Sequence, residues 1–194
     1  MFLLRHASHD RVDHVLCGRM PGVTLGEAGR HEAEWLAGEM ARVGLAALHT
    51  SPLERCRQTA APIARRTGLE PTAADAITEI DFGAWTGRRF DALQDDPAWR
   101  SWNAERDRAT APQGETMAAV QRRAVAHVER AATSHPGAAV ALVSHSDVIK
   151  AVLSHYLGLS LQAYWRFEVS PASISELAVQ PGHGRVVGIN RRFA

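Results

Sequence analysis

Two short apolar runs, each ending in a histidine, constrain this chain more than any other feature. Ala138-Ala139-Val140-Ala141-Leu142-Val143-Ser144 delivers His145, and Phe2-Leu3-Leu4 delivers Arg5 and His6 ahead of Ala7. Runs this short and continuous read as strands buried on both faces, as in a parallel sheet. In open sheets of that kind, ligands bind beyond the carboxyl ends of the strands. Both histidines fall there. A neutral imidazole is a nucleophile, and a neighbouring guanidinium that keeps its charge suits an anionic oxygen. The expectation is that His6 attacks phosphorus.

The rest of the chain supplies a matching frame. Ser8 to Val23 carries Gly18, Pro21 and Gly22 and no sustained period, so it reads as a loop leaving the reactive edge and folding back over it. Thr24 and Glu27 form a capping-box pair for a helix with Ala28, Ala33, Trp35, Leu36 and Met40 on its apolar face, ending near Gly44. Leu45 to Thr50 is a second short strand. Ser51-Pro52-Leu53-Glu54 follows it as an N-cap serine, a first-position proline and a third-position glutamate, which puts Arg55 in the first turn of a helix ending at Gly68. A helix N-terminus at a strand end already favours anions, and Arg55 adds a forked charge. Taken alone, Arg55 could be an ordinary surface arginine.

Glu79 to Gly87, with its glycines and aromatics, reads as a loop packed on the core, and Phe90 to Asp107, with Trp99 and Trp102, as a helical lid or side wall. Met117, Val120, Ala124, Val128 and Ala131 keep helical spacing from Thr116 to Ala132. His135-Pro136-Gly137 turns into the strand that delivers His145, and a helix from about Asp147 to Leu157 stops at Gly158. Arg166–Val169, Ser173–Val179 and Val186–Ile189 read as strands, with a turn at Pro181-Gly182-His183-Gly184. They form an antiparallel edge on a parallel centre.

Length and composition narrow the class. A chain of 194 residues suits one domain with a single core, and 45% hydrophobic with 22% charged residues is globular. Lys150 is the only lysine, so the arginine excess reflects biased usage, and only arginines placed by a motif carry weight. Nucleic-acid binding would rest on scattered arginines balanced by 21 acids and is not expected. No apolar run reaches membrane-spanning length, no leader precedes the first strand, and Cys17 and Cys56 are too few for a disulfide framework, so a cytoplasmic protein without membrane association is expected. Arginine six residues after a cysteine, as cysteine phosphatases require, is absent: Val23 and Pro62 stand there. No glycine-rich nucleotide loop ends in Lys-Ser/Thr. His6, His9 and His14 leave a metal site conceivable, although no metal or other cofactor is expected.

A lone histidine at a strand end is commonly structural; four phosphate-competent residues at equivalent strand ends are not so easily dismissed. The chain resembles the histidine phosphatase superfamily, which includes the cofactor-dependent phosphoglycerate mutases. The resemblance rests on Leu3 to Ala7, Thr24 to Gly29, Ser51 to Ala60, Glu79 to Gly87, Gly114-Glu115-Thr116 and Val143-Ser144-His145, in order along most of the chain. It implies a three-layer α/β/α sandwich with a mostly parallel central sheet. It also implies His6 as a phosphohistidine nucleophile, a phosphoryl pocket of Arg5, Arg55 and His145, and Glu79 as general acid. The departures are Ala7 for a usual glycine, His9 for Thr or Ser, Val12 for Asn, Thr86 for a glutamate and Ser146 for a glycine. Ser8, His9, Ser146 and Arg19 are therefore the candidate substrate-binding residues.

The chemistry agrees with those roles. A phosphomonoester is an anion, so attack by an imidazole needs positive groups at the equatorial oxygens, and the leaving alkoxide needs a proton from a carboxyl whose pKa is raised. Asp81 competes with Glu79 for that task. The expected activity is metal-independent hydrolysis of a small phosphorylated metabolite. The alternatives are a phosphoglycerate mutase-type phosphomutase, disfavoured by the short Gly87–Pro112 segment and altered phosphate loop, and a non-catalytic phospho-ligand binder. The tryptophans and tyrosines near the C-terminal strands leave the oligomeric state open between monomer and homodimer.

Overall fold

The computed structural model describes residues 1–180 and 182–192. Among them, six strands form one sheet in the order β3-β2-β4-β1-β5-β6. These are β1 (Phe2–Arg5), β2 (Leu45–Thr50), β3 (Thr72–Ala73), β4 (Ala139–Ser144), β5 (Ile174–Gln180) and β6 (His183–Arg191). The first four run parallel, while β5 pairs antiparallel with β1 and β6 antiparallel with β5.

Side chains of the central strands alternate between two cores, as a period of two requires. Leu3, Val140 and Leu142 face one core, which takes in α5 (Met117–Ser134) and α6 (Ser146–Tyr156). Leu4, Ala141 and Val143 face the other, with α1 (Glu27–Ala41) and α2 (Glu54–Thr67). The result is the expected three-layer sandwich. Each fully buried Leu or Val of these central strands contributes about 1.5–3 kcal/mol, which explains why a four-residue strand can hold the middle of the sheet.

The remaining helices, α3 (Phe90–Leu93) and α4 (Pro97–Ala104), are short. The rings of Phe82, Trp85, Trp99 and Trp102 pack tilted or edge-to-face at 5.2–6.5 Å around them, and Leu93 and Trp102 are fully buried. The segment is thus a side wall anchored in the core, joined to the first loop by the Phe90 N–H donating to the His14 carbonyl at 3.1 Å.

Several local expectations shift. α1 is capped by Gly26 with no side-chain hydrogen bond, so Thr24 and Glu27 form no capping box, and Ala28 is exposed while Gly29 and Ala37 are buried. α2 begins only at Glu54 with Leu53 as its cap, so Ser51 stands two residues too early, its Oγ 3.4 Å from the Leu53 N–H and 2.8 Å from His145 Nε2. Arg166 belongs to a 3-10 helix, Leu161–Arg166, and no strand forms from there to Val169. Of the turn expected at Pro181 to Gly184, Pro181 lies outside the described residues, and His183 and Gly184 already belong to β6. β3, two residues long, carries no periodic signal. Among the described residues no helix is long and apolar enough to cross a membrane.

The loop after β1 lies directly on α1. A Cβ built at Gly29 would sit 1.9 Å from the Ser8 carbonyl oxygen, a backbone atom that cannot rotate away. Gly29→Ala is therefore expected to destabilise the protein by about 1–3 kcal/mol, outweighing the gain of up to ~1 kcal/mol that alanine brings to a helix. The check is the urea midpoint, and an unchanged or raised midpoint contradicts the close approach.

Candidate active site

The three parallel strands end level with one another. Backbone bonds from the His6 N–H to the Ser144 carbonyl and from the Ser51 N–H to the Val143 carbonyl, both 2.9 Å, continue the ladders one residue past β1 and β2. His6, Ser51 and His145 are thereby brought to one edge. A cleft of about 170 Å³ opens there, and its lining includes Arg5, His6, His9, Arg55, Glu79 and Ser146. The loop carrying Leu16, Cys17 and Gly18 closes one side and Phe82 and Phe90 another.

His6 is set up to attack. Its Nδ1 lies 2.9 Å from the Ala7 carbonyl, which can only accept, so Nδ1 carries the proton and Nε2 keeps the lone pair. Burial, followed by the charges of Arg55 and Arg5, pushes its pKa well below the ordinary histidine value, so the ring is neutral at pH 7. Ala7 is fully buried, its N–H donating to Thr59 Oγ1 at 3.0 Å, so the extra methyl fits.

Arg55 is 2% exposed, yet its Nε and Nη1 have no partner. Its Nη2 donates to the Gly18 carbonyl at 2.8 Å and lies 3.1 Å from His145 Nδ1. Because a guanidinium can only donate, Nδ1 of His145 accepts, which leaves the imidazole proton on Nε2, 2.8 Å from Ser51 Oγ. His145 thus stands behind the cleft wall, its ring 5.3 Å from that of His6, with Cys56 Sγ 3.4 Å from its Nε2. Burial, and then the charge of Arg55, hold its pKa well below the ordinary histidine value, so it is neutral too. Arg5 donates through Nη1 to the Val169 carbonyl at 2.7 Å, and its buried Nε is unpartnered. Desolvated guanidinium N–H groups aimed at a cleft suit a ligand with several anionic oxygens.

Glu79 is buried beside these groups, with Oε1 accepting from the Ile80 N–H at 3.0 Å and Oε2 3.9 Å from His145 Nδ1. Burial, then the negative charge of Asp147, pushes its carboxyl up to about 7. A carboxyl of that kind can donate a proton near neutrality. Asp81 does not line the cleft; it binds the Gly83 N–H at 2.9 Å and faces Arg19 at 3.7 Å.

The four candidate substrate contacts divide. His9 lines the cleft, its ring stacked on that of His6 at 5.4 Å, and burial with the nearby arginine charges lowers its pKa to about 4. Ser146 also lines it. Ser8 does not: its N–H and hydroxyl both bind the Glu32 carboxylate on α1, at 2.8 and 2.9 Å. Arg19 does not either, because its guanidinium is taken up by the Glu79 carbonyl at 2.8 Å and Glu115 at 2.7 Å. Neither engagement was legible, since each depends on a partner tens of residues away.

Two acids of the lining went unforeseen. Asp147 lies in the first turn of α6, 3.2 Å from Arg106, which is in turn held 4.1 Å above the Tyr164 ring. Asp13 lines the cleft from a backbone in the left-handed region, φ 64°. The position of Asp147 two residues past a strand-end histidine was the one available signal. His14 is exposed and outside the lining, so the three early histidines do not converge, and no group of three or more His, Cys, Asp or Glu among the described residues is placed to hold a metal ion. A larger cavity, about 510 Å³, opens at the opposite end of the sheet beside Gly137 and Leu177 and contains none of the candidate residues.

Comparison with known proteins bears on this geometry. The family model for the histidine phosphatase superfamily (branch 1) matches residues 1–192. Phosphoserine phosphatase 1 of Hydrogenobacter thermophilus is 30% identical over 98% of this chain and 91% of its own. A probable phosphoglycerate mutase of Klebsiella pneumoniae is 33% identical over 75% of this chain and 69% of its own. A mycobacterial glucosyl-3-phosphoglycerate phosphatase solved with VO3 superposes with a TM-score of 0.87, at 26% identity, covering 98% of each chain.

The raised Glu79 carboxyl has a consequence for stability. Its pKa is higher folded than its ordinary 4.5, so the stability it contributes is fully present below about pH 4.5 and is lost as the pH rises towards 7. Glu79→Gln removes that loss. Between pH 4.5 and 7.5 wild type should lose roughly 3 kcal/mol relative to the variant, measured by urea unfolding at both pH values. Parallel pH profiles would contradict a buried, proton-holding Glu79.

Proposed function

We propose, from the premise that this chain belongs to the histidine phosphatase superfamily, branch 1, that His6 carries a phosphoryl group from a small phosphomonoester to water. The family and the phosphatase relatives support a phosphomonoesterase and favour it over a mutase. The observation that carries the residue assignment is the neutral His6, its Nε2 lone pair free, in one cleft with the unpartnered N–H groups of buried Arg55.

In the first step Nε2 of His6 forms a bond to phosphorus as the ester P–O bond breaks. Arg5 and Arg55 hold the equatorial oxygens, with His145 behind Arg55 fixing its guanidinium, and such preorganised donors act on the charge that develops in the transition state. The Glu79 carboxyl gives its proton to the leaving alkoxide. In the second step the Glu79 carboxylate takes a proton from water as the water oxygen attacks phospho-His6, which returns both residues to their starting states. No metal or other cofactor enters either step, and the whole of residues 1–194 acts as one domain.

For the substrate, the name of the Hydrogenobacter relative makes phosphoserine the first compound to try. Asp13 in the lining favours an ammonium on the leaving alcohol, whereas Asp147 is paired with Arg106 and Arg19, bound to Glu115, is not free to take a carboxylate.

Hydrolysis of a generic aryl phosphate tests the assignment. His6→Ala is expected to lose roughly 10³-fold or more in kcat, wild-type turnover to survive a strong chelator, and brief reaction with labelled substrate to leave acid-labile phosphate on His6. Equal activity in wild type and variant, or none in either, points to a binding module. Robust interconversion of 3-phosphoglycerate with catalytic bisphosphoglycerate would restore the mutase.

A further inference from the structure

Glu115 is the hub of a set of charged groups that no catalytic step uses. Its Oε2 accepts from Arg19 Nη2 at 2.7 Å, from Arg123 Nη2 at 3.0 Å and from the Asp81 N–H at 3.0 Å, and its Oε1 accepts from Arg123 Nε at 3.1 Å. Burial by itself would raise this carboxyl, but the Arg123 hydrogen bond, the Asp81 N–H and the two arginine charges outweigh it and keep Glu115 ionised.

Both arginines then converge on one backbone atom. Arg19 Nε donates to the Glu79 carbonyl at 2.8 Å and Arg123 Nη2 to the same oxygen at 3.3 Å, while Arg123 Nη1 donates to the Ala76 carbonyl at 2.8 Å. Residues 76, 79 and 81 are thus gripped on the side away from the cleft. Ala76 belongs to the 3-10 helix Asp75–Ile77, and Glu79 and Asp81 lie between it and a second, Gly83–Trp85, so the segment has no strand or α-helix ladder to hold it. The other end of the grip reaches the phosphoryl pocket: Arg19 follows Gly18, whose carbonyl accepts from Arg55.

We propose that Glu115, acting through Arg19 and Arg123, is a positioning residue that fixes the Glu79 carboxyl at the distance from the phosphoryl pocket needed to protonate the leaving group. This rests on Glu79 being the general acid. A set of this kind works by removing alternative backbone positions, and a displacement of about 1 Å in a reacting group can cost ~10²-fold in rate.

The leaving group separates this role from a merely structural one. An alkyl phosphate expels a strongly basic alkoxide and needs the acid; nitrophenyl phosphate expels a stable phenolate and does not. The readout is kcat/KM, which reports only the steps up to formation of phospho-His6, and the ratio between the two substrates is unaffected by any fraction of unfolded enzyme. Glu79→Gln serves as the reference and should lose about 10²–10⁴-fold on the alkyl ester with little change on the nitrophenyl ester. Glu115→Gln, and half-exposed Arg19→Ala as a second variant, should lose about 10–100-fold on the alkyl ester and less than about threefold on the nitrophenyl ester. If Glu79→Gln shows no split between the esters, the acid assignment fails and this inference with it. If Glu79→Gln shows the split while Glu115→Gln and Arg19→Ala lose equally on both esters, or lose nothing, the inference alone is overturned.

Discussion

The pairing of β4 with its two parallel neighbours is the constraint on which the site depends. Arg5 stands opposite Ser144 and Thr50 opposite Val143, so three strands separated by long crossovers end at the same height. A slip of one residue would send every side chain to the other face and turn His6 away from the edge. The alternation of Leu3 and Leu4, and of Val140 to Val143, between two dry cores makes that slip expensive. Catalytic geometry is therefore set by hydrophobic sorting some distance from any polar group.

Where the sheet stops, the energetics reverse. Leaving a buried donor without a partner costs about 1–3 kcal/mol, more for a charged group, and Arg55 carries two such nitrogens. Neutralising the neighbouring histidines limits the damage: His6 and His145 are both neutral at neutral pH, so two guanidinium groups are not joined by two imidazolium groups in one small volume. The same burial that keeps the histidines neutral lets Glu79 hold its proton up to near neutrality. One buried environment thus keeps two imidazoles neutral and a carboxyl proton-holding.

What could be read from the sequence follows from how far each signal reaches. β1, β2, β4 and α5 are announced by runs or periods within the element itself, and the strand-end positions of His6, Arg55 and His145 follow directly. Hydroxyl capping misled twice, at Thr24 and Ser51: α1 is capped by Gly26 without a side-chain bond, and the Ser51 hydroxyl bonds His145 across 94 residues. Ser8 and Arg19 misled for the same reason: a polar side chain in a loop over an active edge is assigned to the ligand until its protein partner, Glu32 or Glu115, is known. The Arg166–Val169 strand failed because Arg166 ends a 3-10 helix and the residues after it, extended at Phe167, pair with no strand among the described residues.

The thiol beneath His145 has one more consequence. Burial drives Cys56 up to about 12 and also raises Cys17, so both remain protonated, and it is the thiolate that oxidants attack. With the proposed imidazole nucleophile, neither the attacking atom nor the sulfur beside it presents a thiolate, the form that peroxide oxidises.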